Sequence, residues 1–236
     1  MEKSALIVAH GQPSDPDPAE ADLAIVAAAV ARLLPGWRIG SATLAAPDAL
    51  AKAVACLGAP LVLPFFMADG WFIRTALPRK LSEAGAQDLQ ILPPFGLMDA
   101  VRRLAGYAAI DAVKEQGWKA AQTVVVLAAH GSGRSPYPAE AARAVQAALA
   151  PLGFADLRLG FIEEEPSLVT AATNAGARAI CLPLFVARWG HVIGDIPEAL
   201  AAADFQGPCL APLGQHPEVP EILANALRNA EALGTS

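Results

Sequence analysis

No Cys-x-x-Cys pair occurs in this chain, and its three cysteines, Cys56, Cys181 and Cys209, stand apart in apolar runs. An odd, scattered set excludes a disulfide framework, a thiolate metal knot and an iron–sulfur ligand set. It reads as three reduced core residues. Charge is also sparse: 17% of the 236 residues are charged, with a net charge of −6. No Lys/Arg cluster suited to a phosphate backbone is present, so nucleic acid is not an expected partner. The first stretch, MEKSALIVAHG, turns polar early and carries no signal-like apolar core. No apolar run reaches the length of a membrane span, so a cytoplasmic protein with no membrane partner is expected. Aromatic residues are few at 6%, whereas Ala, Leu, Val and Ile abound, which favours compact α/β layering over a β-sandwich.

What the chain does have is an internal repeat. ALIVAHGQPSDPDPAEAD, from Ala5, matches VLAAHGSGRSPYPAEAAR, from Val126, with His10 and His130 in register at an offset of 120. LPFFMADGWFIRTALPRKL, from Leu63, matches LPLFVARWGHVIGDIPEAL, from Leu182, at an offset of 119. A weaker pair, QILPPFG and CLAPLG, follows in the same order. A period this long signals a duplicated domain rather than a solenoid. Halves of roughly 120 residues are large enough to bury their own cores. Each half alternates helical patterns with four short, nearly all-apolar strands: ALIVA, WRIGSATL, PLVLPFF and LQILPPF, then TVVVLAA, LRLGFI, AICLPLF and PCLAPL. That alternation predicts parallel sheets covered on both faces. The expected fold is α/β, with two similar domains, 1–120 and 121–236, each a small parallel sheet flanked by helices, and a cleft between them.

Ligands of such sheets bind beyond the carboxyl ends of the strands. Three chemistry-bearing residues fall there in the second half. His130 closes VVVLAA, Glu163 closes LRLGFI, and His191 lies in the loop ARWGHVIGD after the third strand. Two imidazoles and a carboxylate suit divalent first-row metals and can also accept protons near neutral pH. Each has a plainer reading. A His after a strand can be a packing residue, a Gly-flanked His a surface one, and Glu163 part of the solvated run GFIEEEPSL, in which Glu164 and Glu165 would favour a following helix N-terminus. The repeat discriminates between these readings. At an offset of 119 the first half has Phe72 opposite His191 and Leu44 opposite Glu163, and keeps only His10. A purely structural set would be expected in both halves, so the metal site is expected in the second half alone. His10 is either a further proton acceptor or an inherited residue with a structural hydrogen bond. Phe66, Trp71 and Phe72 are candidates for a flat apolar wall, and Arg134 and Arg188 for contacts to an anionic substrate.

AHGSGR at 129–134, GFIEEEPSL at 160–168 and LPLFVARWGHVIGDIPEAL at 182–200 resemble the CbiX/SirB group of sirohydrochlorin chelatases, in its long double-domain form. The resemblance implies metal ligation by His130, Glu163 and His191. It further implies insertion of a divalent metal, cobalt or else iron, into sirohydrochlorin on a cobalamin or siroheme route. No cofactor is implied; the metal (Co2+ or Fe2+) is a substrate, and the partners are the tetrapyrrole and the metal. The residues alone leave a second reading, a non-catalytic metal or tetrapyrrole carrier, and leave monomer or homodimer open.

Overall fold

The computed structural model describes residues 3–234. In chain order the elements are β1 (Lys3–Ala9), α1 (Pro16–Leu33), β2 (Trp37–Thr43), α2 (Ala49–Leu57), β3 (Leu61–Pro64), α3 (Leu77–Glu83), α4 (Asp99–Glu115), β4 (Val124–Ala129), α5 (Tyr137–Leu149), β5 (Asp156–Phe161), α6 (Leu168–Ala172), β6 (Ala179–Pro183), α7 (Asp195–Ala202) and α8 (Val219–Gly234). Two three-stranded parallel sheets result, ordered β2-β1-β3 and β5-β4-β6. The fold is therefore α/β, as the apolar strand pattern predicts. No helix among the described residues is long and apolar enough to cross a membrane.

Both faces of each sheet are covered, which is why the strands carry so few polar residues. In the second sheet Val126, Ala128 and Cys181 pack against Leu168, Ala171, Ile196 and Leu200 of α6 and α7. The opposite face meets α5 and α4. Burial is complete at Val125 to Ala128 of the central strand β4, each at 0% exposure. Packing of β5 on α6 depends on the absence of a side chain at Gly160. A Cβ there would lie 2.6 Å from Leu168 Cα and 2.8 Å from Ala171 Cβ. Substituting Gly160→Ala is expected to lower stability by about 1–3 kcal/mol through overpacking. A fall in the denaturation midpoint at unchanged m-value checks it, and an unaltered midpoint would refute it.

Three expectations are corrected. The fourth strand of each half is reduced to one bridge, Val62 to Ile91 and Cys181 to Cys209. The neighbouring prolines, Pro93, Pro94, Pro208 and Pro212, have no N–H to donate and prevent a longer ladder. The compact units also differ from 1–120 and 121–236. One comprises residues up to Phe95 together with those from Pro217, and the other is Gly96–His216. Helix α4 packs on β6 and α5, while α8 packs on α1 and β3. A duplication marks which segments are copies; where a helix docks is decided by which sheet buries its apolar face. Finally, of the three cysteines only Cys181 is buried, whereas Cys56 and Cys209 are exposed.

Candidate metal centre

Strand order places the site. In the second unit β4 is central, with β5 on one side and β6 on the other, so the chain leaves their carboxyl ends in diverging directions. Such a switch point leaves room for a ligand. His130, Glu163 and His191 each follow one of these three strands.

His130 comes directly after β4 and is followed by Gly131, whose φ of 72° lies in the left-handed region. That turn returns the Gly131 carbonyl to the imidazole, and Nδ1 lies 2.8 Å from it. A Cβ at Gly131 would lie 2.9 Å from Phe161 Cβ, so glycine is required for space as well as conformation. Because a carbonyl only accepts, Nδ1 carries the proton and the Nε2 lone pair is available.

Glu163 is held by its own backbone, whose N–H donates to the His130 carbonyl at 2.9 Å. Its neighbours act differently from each other. Glu164 Oε2 accepts from Ser132 N–H at 2.8 Å, pinning the His130 loop rather than a helix end. Glu165 Oε2 accepts from Ser167 N–H at 2.8 Å, at the start of α6, where Ser167 itself caps Thr170 N–H.

His191 sits on a short 3-10 turn, Gly190–Val192, anchored by the buried Val192. Its Nδ1 lies 2.8 Å from Asp195 Oδ2, one helical turn on, in the first turn of α7. A carboxylate also only accepts, so here too Nδ1 carries the proton and Nε2 is left free. Reading of the sequence missed Asp195, because an acidic residue in a first helical turn is ordinary. The repeat held a signal: at an offset of 119, Phe72 and Ala76 stand where His191 and Asp195 stand, so ligand and carboxylate are absent together from the first half.

The structure brings all three expected ligands together. One donor atom from each of His130, Glu163 and His191 lies within 4.8 Å of the others. The His130 and His191 rings meet edge-on with centroids 4.6 Å apart, and His130 Nδ1 lies 3.8 Å from Glu163 Oε2. Donors bound to one metal at about 2.1 Å can be no more than ~4.2 Å apart, so rotations of a fraction of an ångström close the set. The side chains remain 43%, 51% and 36% exposed for His130, Glu163 and His191. Three donors open to solvent would leave room for further ligands on a bound metal, unlike a closed four-ligand structural site.

The remaining candidates lie elsewhere. Arg134 and Arg188 are exposed, on the loops that carry His130 and His191. In the first unit, His10 Nδ1 lies 2.7 Å from the Gly11 carbonyl and its ring meets Phe72 edge-on at 4.3 Å. His10–Phe72 thus reproduces the His130–His191 arrangement with a hydrocarbon ring in place of the second imidazole. The counterpart of Glu163 is corrected from Leu44 to Ala45. Ala45 N–H donates to the His10 carbonyl at 3.0 Å, as Glu163 N–H does to that of His130. Trp71 and Phe72 are 55% and 38% exposed, and Phe66 stacks on Phe72 at 6.3 Å.

A family model described as CbiX matches residues 124–230, a span that includes all three ligand candidates. Among solved structures, CbiX of denitrifying bacteria, the terminal enzyme of siroheme biosynthesis there, superposes with a TM-score of 0.91 at 46% identity, covering 97% of this chain and 99% of that one. SirB from Bacillus subtilis, solved with Fe3+, gives a TM-score of 0.75 at 17% identity, covering 98% of each chain. DR2241 from Deinococcus radiodurans, a multi-domain protein structurally similar to chelatases, gives 0.74 at 22% identity, covering 96% of this chain and 54% of that one. The last two bear on the fold alone. Comparison with the curated proteins returned no match.

Proposed function

The chain belongs to the CbiX family, and on that premise we propose that it inserts a divalent metal into sirohydrochlorin, using His130, Glu163 and His191 as ligands and proton acceptors. It is a chelatase, an enzyme whose metal is consumed rather than retained. The observation that carries the site assignment is the convergence of the three donors in a solvent-open arrangement. A closed site would hold its ion; an open one can pass it to ring nitrogens.

The chemistry follows from the donor set. Chelation exchanges pyrrole N–H protons for a dication. Glu163 and Asp195 place negative charge at the site, which attracts the metal. The free Nε2 atoms of His130 and His191 bind it with moderate strength, and neutral imidazole or carboxylate can take up protons as the ring loses them. Arg134 and Arg188, exposed on the loops that carry His130 and His191, are suited to peripheral carboxylates. Iron takes precedence over cobalt as the metal, because the relative of 46% identity serves siroheme biosynthesis.

The test is direct. Purified protein is mixed with sirohydrochlorin and Fe2+ or Co2+ under anaerobic conditions, and the absorbance of the ring is followed against a protein-free control. We expect acceleration with multiple turnovers. Binding of ring or metal without any rate gain at any metal concentration would instead establish a carrier.

A further inference from the structure

Two thiols outside the metal centre lie side by side in the second unit. Cys181 of β6 is bridged directly to Cys209, flanked by the hydrogen bonds Cys181 N–H to Pro208 O (2.9 Å) and Leu210 N–H to Cys181 O (2.8 Å). Directly opposed residues on neighbouring strands project from the same face. Strands about 4.8 Å apart set their Cα atoms within the range that a disulfide spans, roughly 4.4–6.8 Å. One thiol is buried in the core, and the other is exposed. The fold does not demand them. In the first unit the same bridge, with the same pair of hydrogen bonds, joins Val62 and Ile91.

Their surroundings divide the roles. Interaction with the neighbouring Cys209 side chain, then burial, raises the Cys181 pKa well above its ordinary value. The same interaction lowers the pKa of Cys209, against the opposing effect of burial, and the charge of Arg188 lowers it further. Cys209 is therefore the exposed nucleophile, and Cys181 the sheltered second thiol.

We propose that Cys181 and Cys209 form an oxidation site, a dithiol that a low-molecular-weight disulfide converts to an intramolecular disulfide. The Cys209 thiolate attacks one sulfur of RS–SR, forms a protein–SR mixed disulfide and expels RS−, which is protonated. Cys181 then gives up its proton and attacks Cys209 Sγ, forming the Sγ–Sγ bond and expelling the second RS−. The protein loses two electrons, and RS–SR gains them as two thiols. The product ties Cys209 covalently to β6, the strand that leads into the His191 loop.

The experiment treats the purified full chain with glutathione disulfide, then measures intact mass and thiols titrated under denaturing conditions. We expect a species lighter by two hydrogens, with one reactive thiol in place of three and a Cys181–Cys209 linkage in its proteolytic map. Cys181→Val, which installs the residue found at Val62, should stop at a Cys209–glutathione adduct. Wild-type protein that also stops at this adduct, or modification confined to Cys56, overturns the proposal.

Discussion

Replacing His191 by alanine lowers kcat for metal insertion by about 10²- to 10⁴-fold, the range for loss of a positioned proton-transfer group. The expectation rests on the geometry of one loop. His191 supplies one of three donors within 4.8 Å, and no other His, Cys, Asp or Glu among the described residues joins that set. Loss of a ligand from a three-donor site leaves two, with no fourth in reserve. Stability should barely move, within about 0.5 kcal/mol, because the side chain is partly exposed and Val192 rather than His191 anchors the turn. The paired measurement is the ring absorbance assay, with Fe2+ and Co2+ in parallel, alongside a denaturation curve. A variant that unfolds early would point to a structural His. One that stays folded and keeps wild-type kcat with both metals removes His191 from the site.

Much of this candidate site was legible because the three candidate ligands follow three apolar strands, and the carboxyl ends of parallel strands lie along one rim of the sheet. His130 and Glu163 come within one or two residues of β4 and β5, so the hydrophobic pattern located them. Long-range packing was less legible. The apolar runs around Ile91 and Cys209 look like strands but form single bridges, because proline removes the donors a ladder needs. Helices α4 and α8 each dock on the sheet built mainly from the other repeat, a choice that amphipathic periodicity cannot express. Offset alignment failed by one residue at Leu44, since the β2 and β5 segments are spaced 118 apart and the neighbouring motifs 119 or 120. Asp195 was missed for another reason: its role lies in a partner, not in its own position.

That partnership yields the second large expectation. Asp195→Asn should weaken metal binding to the ring-free protein by about 10- to 100-fold, the usual effect of removing a group that orients a ligating His. Aspartate can only accept, so it holds the proton of His191 on Nδ1 and leaves the Nε2 lone pair for a metal. An asparagine amide can turn its N–H2 toward Nδ1. The proton then moves to Nε2, and the ligand position is blocked. Aspartate also adds charge that strengthens the imidazole as a donor, which asparagine lacks. A second role for Asp195 is separable: in the first turn of α7 its charge favours the helix by about 0.3–1 kcal/mol. Titration with Co2+ against a competing chelator reads affinity, nitrogen NMR of the His191 ring reads the tautomer, and denaturation reads the helix. If Asp195 acts through His191, affinity falls, the ring proton shifts toward Nε2, and Asp195→Glu restores part of both. A small stability loss with unaltered Co2+ affinity would reduce Asp195 to a helix-terminal charge, and His191 would then have to be oriented by its turn alone.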